Sequence, residues 1–342
     1  MDIDFVITWV DQRDPKWLEE KEYYAKREEA GDSREQRYRD WDTLKYWFRS
    51  VEKYAPWVHK IFFITCGHLP KWLNIENPKI QIIKHSDYIP DKYLPTFSNR
   101  PIELNFHRIE GLSEHFVYFN DDMFLTQNVT EKMFFNKGVP CDTAIMTVYC
   151  LGREDKELKK KVPIEAIRAT PAFDMIPINR NFDKNTVIKK NFFKWFNLKY
   201  GFEWVRTLLL LPWNSFPAMA NYHLPYSYLK SVYSEIWEKE EEILDSACVH
   251  RFRKTCDINQ WVMGYWQIVS GRFYPRNPHI GKYFEFGSDD SSNEEIFNAI
   301  RKQKYKMICL NDGDVTENFE ILKNKLVESF HTILPQKSSF EV

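Results

Sequence analysis

Short apolar runs that end in polar residues constrain the fold of this chain most strongly. Each run is rich in β-branched and aromatic residues, which is typical of strands that are buried on both faces. The runs are Phe5–Val10, Ile61–Thr65, Ile80–Ile83, Phe116–Phe119 and Tyr305–Leu310. Because stretches with helical periodicity separate several of them, we predict an α/β fold with a mainly parallel sheet. Its ligand crevice should lie at the carboxyl ends of the strands.

The clearest helical spacing follows the first strand. An apolar stripe runs from Leu44 to Val51, with Asp42 as the predicted N-cap, and the helix should end before Pro56. Further helices are predicted around Ile102–Ile109 before Gly111, over Tyr228–Leu244 and over Gln260–Ile268.

Composition and charge exclude several classes of protein. A chain of 342 residues with 43% hydrophobic content can bury a substantial core. Its 48 basic residues face 49 acidic ones, so it lacks the charge that general nucleic-acid binding requires. The longest aliphatic run, Leu208–Leu211, is far shorter than the roughly 20 residues of a membrane-spanning helix, and no secretory signal opens the sequence.

The six cysteines are scattered and include no Cys-x-x-Cys pair. This spacing argues against a structural zinc site and against a dense disulfide framework. A reducing compartment fits best, and we therefore expect a cytoplasmic protein.

Two of the predicted strands end in acidic residues. Asn120, Asp121 and Asp122 follow one run, and Asn311 and Asp312 follow another. Carboxylate and amide oxygens in such positions could hold Mg²⁺ or Mn²⁺ against a diphosphate. Acidic residues at strand ends are also common turn formers and helix N-caps, so the residues alone leave both interpretations open.

A histidine and two arginines add to the candidate chemistry. His223 precedes Leu224-Pro225, and a neutral imidazole there could take a proton from an attacking hydroxyl. Arg251 and Arg253 lie shortly before Asp257, and an arginine can clamp a phosphoryl group through paired donors. A structural histidine and a surface basic patch paired with a carboxylate are the alternatives, and spacing alone favours the patch.

Taken in order, these segments resemble the Stealth family of sugar-1-phosphate transferases. That family includes capsule-polymer phosphotransferases and the lysosomal-enzyme N-acetylglucosamine-1-phosphotransferase. The four signature regions are Asp2–Asp11 with Asp14–Trp17, segments between Arg39 and Asp122, His223–Pro225 with Arg251–Asp257, and Cys309–Asp312. The loop Cys66-Gly67-His68 departs from the family pattern, which commonly has a small or acidic residue before the glycine, and predicts altered donor contacts near this loop.

The resemblance implies a GT-A-like nucleotide-sugar-binding fold with a mainly parallel central sheet and a largely helical insertion. It implies one catalytic domain over residues 1–342, with a core at 1–125 and 220–315. Residues 126–219 would form the insertion, facing the acceptor or a membrane. The implied reaction is attack by a hydroxyl of a glycan acceptor, free or lipid-linked, on the sugar-bearing phosphorus of a UDP-sugar. UMP then leaves, as in capsule or cell-surface polysaccharide synthesis.

The resemblance also implies roles for individual residues. The catalytic residues would be His223 as base, Arg253 as phosphate clamp, and Asp121. The donor-binding residues would be Thr8, Asp11, Arg49, Asn120 and Arg251. The ligands of Mg²⁺ or Mn²⁺ would be Asp121, Asp122, Asn311 and Asp312.

Two other functions stay open on the sequence. A metal-dependent GT-A glycosyltransferase would use the same features, but its acceptor would attack the anomeric carbon and UDP would leave. A catalytically dead carbohydrate-binding or scaffold protein would share the fold, although the intact acidic, histidine and arginine positions argue against it. The nucleotide released distinguishes the first alternative, and metal-dependent turnover of the donor would exclude the second.

One basic and aromatic segment belongs to none of the signature regions. Lysines alternate with aromatic residues over Lys189–Tyr200, and the pattern continues to Trp204 and Leu208–Trp213. This composition suits a segment in the lipid headgroup layer, so we predict a peripheral contact with the inner face of the plasma membrane. Packing of the aromatic residues into the core of the protein is the alternative.

Overall fold

Eleven strands and a series of mostly short helices make up the described part of the computed structural model, which comprises residues 1–27, 39–148, 171–254, 256–313 and 318–342. Residues 149–170 of the predicted insertion lie outside these ranges. In chain order the strands are β1 (Ile3–Thr8), β2 (Ile61–Thr65), β3 (Ile80–Lys84), β4 (His115–Phe119), β5 (Met123–Leu125), β6 (Phe135–Asn136), β7 (Val139–Asp142), β8 (Tyr226–Leu229), β9 (Tyr274–Pro275), β10 (Gly281–Glu285) and β11 (Met307–Asn311).

Helices connect and cover these strands. The described α-helices are α1 (Pro15–Ala25), α2 (Leu44–Tyr54), α3 (Asn99–Leu104), α4 (Glu131–Phe134), α5 (Met175–Asn181), α6 (Lys184–Lys190), α7 (Phe192–Trp195), α8 (Trp204–Leu209), α9 (Lys230–Lys239), α10 (Glu241–Cys248), α11 (Trp261–Val269), α12 (Asp290–Arg301) and α13 (Phe319–Ile333). Short 3₁₀ turns lie at His85–Asp87, Asp91–Tyr93, Phe106–Arg108, Leu198–Tyr200 and Pro278–Ile280. No helix in the described ranges is long and apolar enough to cross a membrane.

The central sheet has the strand order β3-β2-β1-β4-β8. Its first four strands are parallel, with Val6 opposite Phe62 on one side and Tyr118 on the other, and β8 pairs antiparallel with β4. Two three-stranded sheets have the orders β10-β11-β5 and β6-β7-β9. The predicted α/β fold with a mainly parallel central sheet is therefore confirmed.

Burial on both faces explains why these runs form central strands. Ile3 to Ile7 of β1 and Ile61 to Thr65 of β2 are all buried. A parallel strand covered on both faces needs an almost continuous apolar sequence, because neither face contacts water. Helix α2 covers part of the sheet through its apolar stripe, where Trp47 and Phe48 are completely buried.

Three predicted boundaries were wrong. The N-cap of α2 is Thr43, because Asp42 adopts a left-handed conformation with φ of 55° and cannot begin the helix. The predicted helix at Ile102–Ile109 is broken at Asn105, whose side-chain amide donates to the carbonyl of Pro101 at 2.8 Å. The predicted helix from Tyr228 starts later, because Tyr226–Leu229 pairs with β4 as an edge strand.

The C-terminal segment is tied to α2 by a buried ion pair. Arg49 Nη2 and Nε donate to the two carboxylate oxygens of Glu341 at 2.7 and 2.8 Å, and Nη1 donates to the carbonyl of Leu334 at 3.0 Å. Both charged side chains are less than a tenth exposed. The structure therefore places Arg49, a predicted donor-binding residue, in a contact that joins distant parts of the chain.

Replacing Arg49 tests this structural role. Arg49→Met should lower the free energy of unfolding by about 3 kcal/mol, because it leaves the Glu341 carboxylate buried without its partner. The double variant Arg49→Met/Glu341→Leu should recover most of that loss in urea unfolding. If Arg49→Met kept wild-type stability but lost affinity for a UDP-sugar, the arginine would be a donor ligand instead.

Candidate active site

The carboxyl ends of β1 and β4 open into a cavity of about 920 Å³. Thr8 is the last residue of β1 and Asn120 directly follows β4, and both line the cavity. The ends of β10 and β11 contribute Glu285 and Asn311 to the same lining. The cavity thus lies where the topology of a parallel sheet predicts a ligand crevice.

Most of the predicted site residues meet in this cavity. Those that line it are Thr8, Asn120, Asp121, Asp122, His223, Arg253, Asn311 and Asp312. Of the described residues predicted to bind the donor, Asp11, Arg49 and Arg251 do not line it. The fold therefore brings together residues as far apart in the chain as Thr8 and Asp312.

Asp121 and Asp122 form the acidic part of the lining. Burial raises the pKa of Asp121 to about 7, with added repulsion from Asp122 and Asp40. Burial likewise raises the pKa of Asp122 to about 6. Asp121 is accessible to solvent within the cleft, yet it is enclosed by protein, so few water molecules can stabilise its charge.

Only one carboxylate oxygen of Asp122 accepts a hydrogen bond from β11. Its Oδ2 accepts a hydrogen bond from Cys309 Sγ at 3.4 Å, and its backbone carbonyl accepts from the N–H of Leu310 at 2.8 Å. Its Oδ1 is buried and accepts no hydrogen bond from the described residues. A buried acceptor without a donor costs stability, and a bound cation or water molecule would satisfy this one.

A carboxylate from the β11 end pairs with the segment before α2. Asp312 Oδ2 lies 3.5 Å from Arg39 Nε and accepts from Trp41 Nε1 at 3.3 Å. Asp312 and Arg39 are both about nine-tenths buried in their side chains. This contact fixes two walls of the cavity relative to each other.

Glu103 connects the two sides of the site and was missed by sequence reasoning. Arg253 Nη2 donates to Asn99 Oδ1 at 2.6 Å, and Asn99 Nδ2 donates to Glu103 Oε1 at 2.7 Å. The hydroxyl of Tyr118 contacts the same Glu103 oxygen at 2.8 Å and Asn120 Oδ1 at 2.5 Å. The completely buried Glu103 thereby sets the positions of Arg253 and Asn120 together. A carboxylate within an apolar helical pattern was the available signal.

His223 lies in a strained and apolar part of the lining. Its φ is 48°, and its backbone N–H donates to Asn221 Oδ1 at 2.8 Å. Its ring packs edge-on against Trp261 and tilted against Tyr283, with centroids 4.9 and 5.1 Å away. Burial lowers the pKa of His223 to about 4, so the imidazole is neutral at pH 7 and can accept a proton. Its pKa lies below the value near working pH that the sequence suggested.

Two other predicted donor residues lie beside the cavity. The N–H of Asp11 donates to His68 Nε2 at 2.6 Å, so the unusual Cys66–His68 loop positions this aspartate. The guanidinium of Arg251 lies 4.8 Å from the ring centre of Tyr24, and its backbone carbonyl accepts from the N–H of Phe97.

The residues that could hold a divalent cation are few. Within the described ranges, no group of three or more histidine, cysteine, aspartate or glutamate side chains is arranged as a metal site. Mg²⁺ is nevertheless often held by one or two carboxylates, with substrate phosphates and water completing its shell. Asp121 and Asp122, with the buried Oδ1 of Asp122 that accepts no hydrogen bond from the described residues, fit that kind of shared site.

The fold and the cleft define the chain as an α/β enzyme with an acidic site at the carboxyl edge of its sheet. Three conserved regions of Stealth proteins match it: region 1 at residues 1–29, region 2 at 37–141 and region 4 at 298–342. They contain the first, second and fourth signature regions named above. The third, around His223 and Arg253, stays a prediction.

Full-length relatives point the same way. The chain is 40% identical to the capsular polysaccharide phosphotransferase WcwK of Streptococcus pneumoniae, over 99% of this chain and 98% of the relative. It is also 40% identical to the exopolysaccharide phosphotransferase cps2G of Lactiplantibacillus plantarum, over 99% of this chain and 96% of that protein. The apo structure of the bifunctional glycosyltransferase WbbM is 12% identical, with a TM-score of 0.37 over 96% of this chain and 49% of that one, a likeness too weak for any argument.

The chain belongs to the Stealth family, as its sequence predicted. It is a phosphotransferase.

Removing the charge of Asp121 tests the electrostatics of the cleft without any assay of activity. A carboxyl whose pKa rises from 3.8 to about 7 on folding destabilises the folded state increasingly as the pH rises through that window. Asp121→Asn should therefore raise the melting temperature in EDTA more at pH 8 than at pH 5. The exposed Asp91→Asn serves as the control. An equal effect at both pH values would contradict the assigned environment.

Proposed function

We propose that this enzyme transfers a sugar-1-phosphate from a UDP-sugar to a hydroxyl of a glycan acceptor. The product is a phosphodiester, UMP is released, and the reaction serves capsule or cell-surface polysaccharide synthesis. The observation that supports this most is the nearly full-length similarity to phosphotransferases named for capsular polysaccharide and exopolysaccharide. A cavity in which carboxylates, Arg253 and His223 converge suits a phosphate-bearing donor.

A divalent cation is part of this proposal. Asp121 and Asp122 would hold Mg²⁺ or Mn²⁺, with Asn311 and Asp312 at the end of β11 as further candidate ligands. Asp312 already pairs with Arg39, so we assign the main role to the first two. When bound, the cation would neutralise charge on the diphosphate. It would also offset the burial, and the added repulsion from Asp122 and Asp40, that raise the pKa of Asp121.

Arg253 would bind the transferring phosphoryl group. Its contact with Asn99 leaves the guanidinium at the cavity lining, where its planar set of donors matches phosphate oxygens. These donors would stabilise the negative charge on the phosphoryl oxygens while the bond from phosphorus to the acceptor oxygen forms and the bond to the leaving UMP oxygen breaks. Glu103 contacts Asn99, which binds Arg253, and Tyr118, which binds Asn120. Substrate contacts made by Arg253 and by Asn120 would therefore both depend on this one buried carboxylate.

His223 would accept the proton of the attacking hydroxyl. A neutral imidazole is the required form, and burial maintains it at pH 7. The low pKa makes His223 a weak base in the empty cleft. A phosphate anion beside the ring would favour the imidazolium and raise the pKa when the donor is bound.

The identity of the released nucleotide tests the proposed reaction. We expect incubation with UDP-sugars, candidate glycan acceptors and Mg²⁺ to release UMP in amounts equal to the phosphodiester formed, measured by chromatography and phosphorus NMR. Release of UDP with no phosphodiester would establish glycosyl transfer instead. The Asp122→Asn variant should form neither UMP nor the phosphodiester, because it lacks a proposed ligand of the cation.

Replacing Arg253 by another positively charged side chain tests its role as the phosphate clamp. Arg253→Lys keeps the positive charge but loses the planar, paired donors, so we expect kcat to fall on the order of a hundredfold. The matched control is Arg251→Lys, since Arg251 lies outside the cavity lining. Steady-state kinetics decide between them: a fully active Arg253→Lys with an inactive Arg251→Lys would assign the clamp to Arg251.

A further inference from the structure

An unusually apolar surface lies on the segment Phe192–Trp213, which we call the docking segment. Phe193 is 83% exposed, and Leu198 and Phe202 are each 90% exposed. The full set of large hydrophobic side chains that this segment exposes is Phe192, Phe193, Leu198, Phe202, Leu208, Leu209 and Trp213. Clustering of this kind marks an interaction surface, whereas single exposed hydrophobic residues do not.

Buried residues of the same segment fix it to the body of the protein. Trp195 and Tyr200 are completely buried, and Trp195 stacks on Phe216 with centroids 5.6 Å apart. The hydroxyl of Tyr200 donates to the carbonyl of Lys194 at 2.7 Å, and Thr207 Oγ1 accepts from the N–H of Met146 at 3.0 Å. Some aromatic residues therefore do pack into the core, and that packing holds the others outward.

The sequence around this surface has an excess of basic residues. Between Lys184 and Trp213 the sequence has six basic residues and one acidic residue, Glu203, whereas the whole chain has a net charge of -1. Lys189 and Lys190 at the end of α6 are exposed directly before the apolar residues. The protein itself holds the other four basic side chains: Nζ of Lys184, Lys194 and Lys199 donates to backbone carbonyls, and Arg206 pairs with Glu203.

We propose that the docking segment binds a lipid bilayer with anionic headgroups. Aromatic and leucine side chains would enter the interface, while Lys189 and Lys190 would face the negative headgroups. The local excess of positive charge favours this occupant over an uncharged protein surface. The inference does not depend on the reaction proposed above, because vesicle binding can be measured without turnover.

Co-sedimentation with vesicles tests the proposal on the full chain. The wild-type protein should bind vesicles of equal parts phosphatidylglycerol and phosphatidylcholine at low salt, and should bind pure phosphatidylcholine far less. Phe193→Ser/Leu198→Ser/Phe202→Ser and, separately, Lys189→Glu/Lys190→Glu should each reduce the bound fraction on the order of tenfold. Melting temperatures close to wild type would show that these variants are folded.

Matched controls use exposed residues elsewhere in the chain. Ile75→Ser/Ile321→Ser removes exposed apolar side chains, and Lys302→Glu/Lys304→Glu reverses exposed charges, so both should bind as the wild type does. Failure of the wild type to bind anionic vesicles, or equal losses in the controls, would overturn the proposal. Dimerisation in light scattering that only the triple serine variant abolishes, without vesicle binding, would make the segment a protein interface instead.

Discussion

The burial of β1 between β2 and β4 is the constraint on which the rest of the structure depends. β1 is hydrogen-bonded to β2 along one edge and to β4 along the other, and its residues Ile3 to Ile7 are buried. Polar groups available to a ligand must therefore appear where the parallel strands end, at Thr8 and Asn120, which line the cavity. The same logic applies at the other edge of the cavity, where β11 becomes polar at Asn311.

Carboxylates at the two ends of the central sheet have different surroundings. At the amino end, Asp4 is completely buried, but Oδ1 accepts from the N–H of Lys60 and contacts His59, and Oδ2 accepts from the N–H of Ser113. At the carboxyl end, enclosure in the cleft raises the pKa values of Asp121 and Asp122, and repulsion from Asp122 and Asp40 adds to the rise at Asp121. Asp4 thus serves the fold, whereas Asp121 and Asp122 would be stabilised by a positive group such as the proposed cation.

Local sequence patterns predicted the strands well. The apolar runs predicted the bounds of Ile61–Thr65 without error and those of the neighbouring strands to within a few residues. A strand that is buried on both faces needs an almost continuous apolar sequence, which is easy to recognise. The pattern failed at Tyr226–Leu229, since an edge strand beside a helix has no distinct periodicity. It also failed at Asp42, whose left-handed backbone overrides its preference for an N-cap.

Most of the candidate site residues that the sequence predicted line one cavity, but the sequence did not show how they are connected. Asp121, Asp122, His223 and Arg253 come from separate parts of the chain and do line one cavity. Arg49 has the same charge as Arg253, but it pairs with Glu341, 292 residues further along the chain, and lies outside the cavity lining. Glu103 stood out only as a carboxylate within an apolar helical pattern, and its role became visible only through its tertiary contacts with Asn99 and Tyr118.

The central claim is that the acceptor attacks phosphorus and leaves the sugar–oxygen bond intact. Oxygen isotope labelling measures this most directly. In a UDP-sugar with ¹⁸O between the anomeric carbon and the β-phosphorus, phosphoryl transfer breaks the bond from that phosphorus to the oxygen bridging the two phosphates. The account predicts that all the ¹⁸O is found in the phosphodiester product and none in the released nucleotide. Recovery of the ¹⁸O in released UDP would contradict it, because the bond to the anomeric carbon would then have been the one that broke.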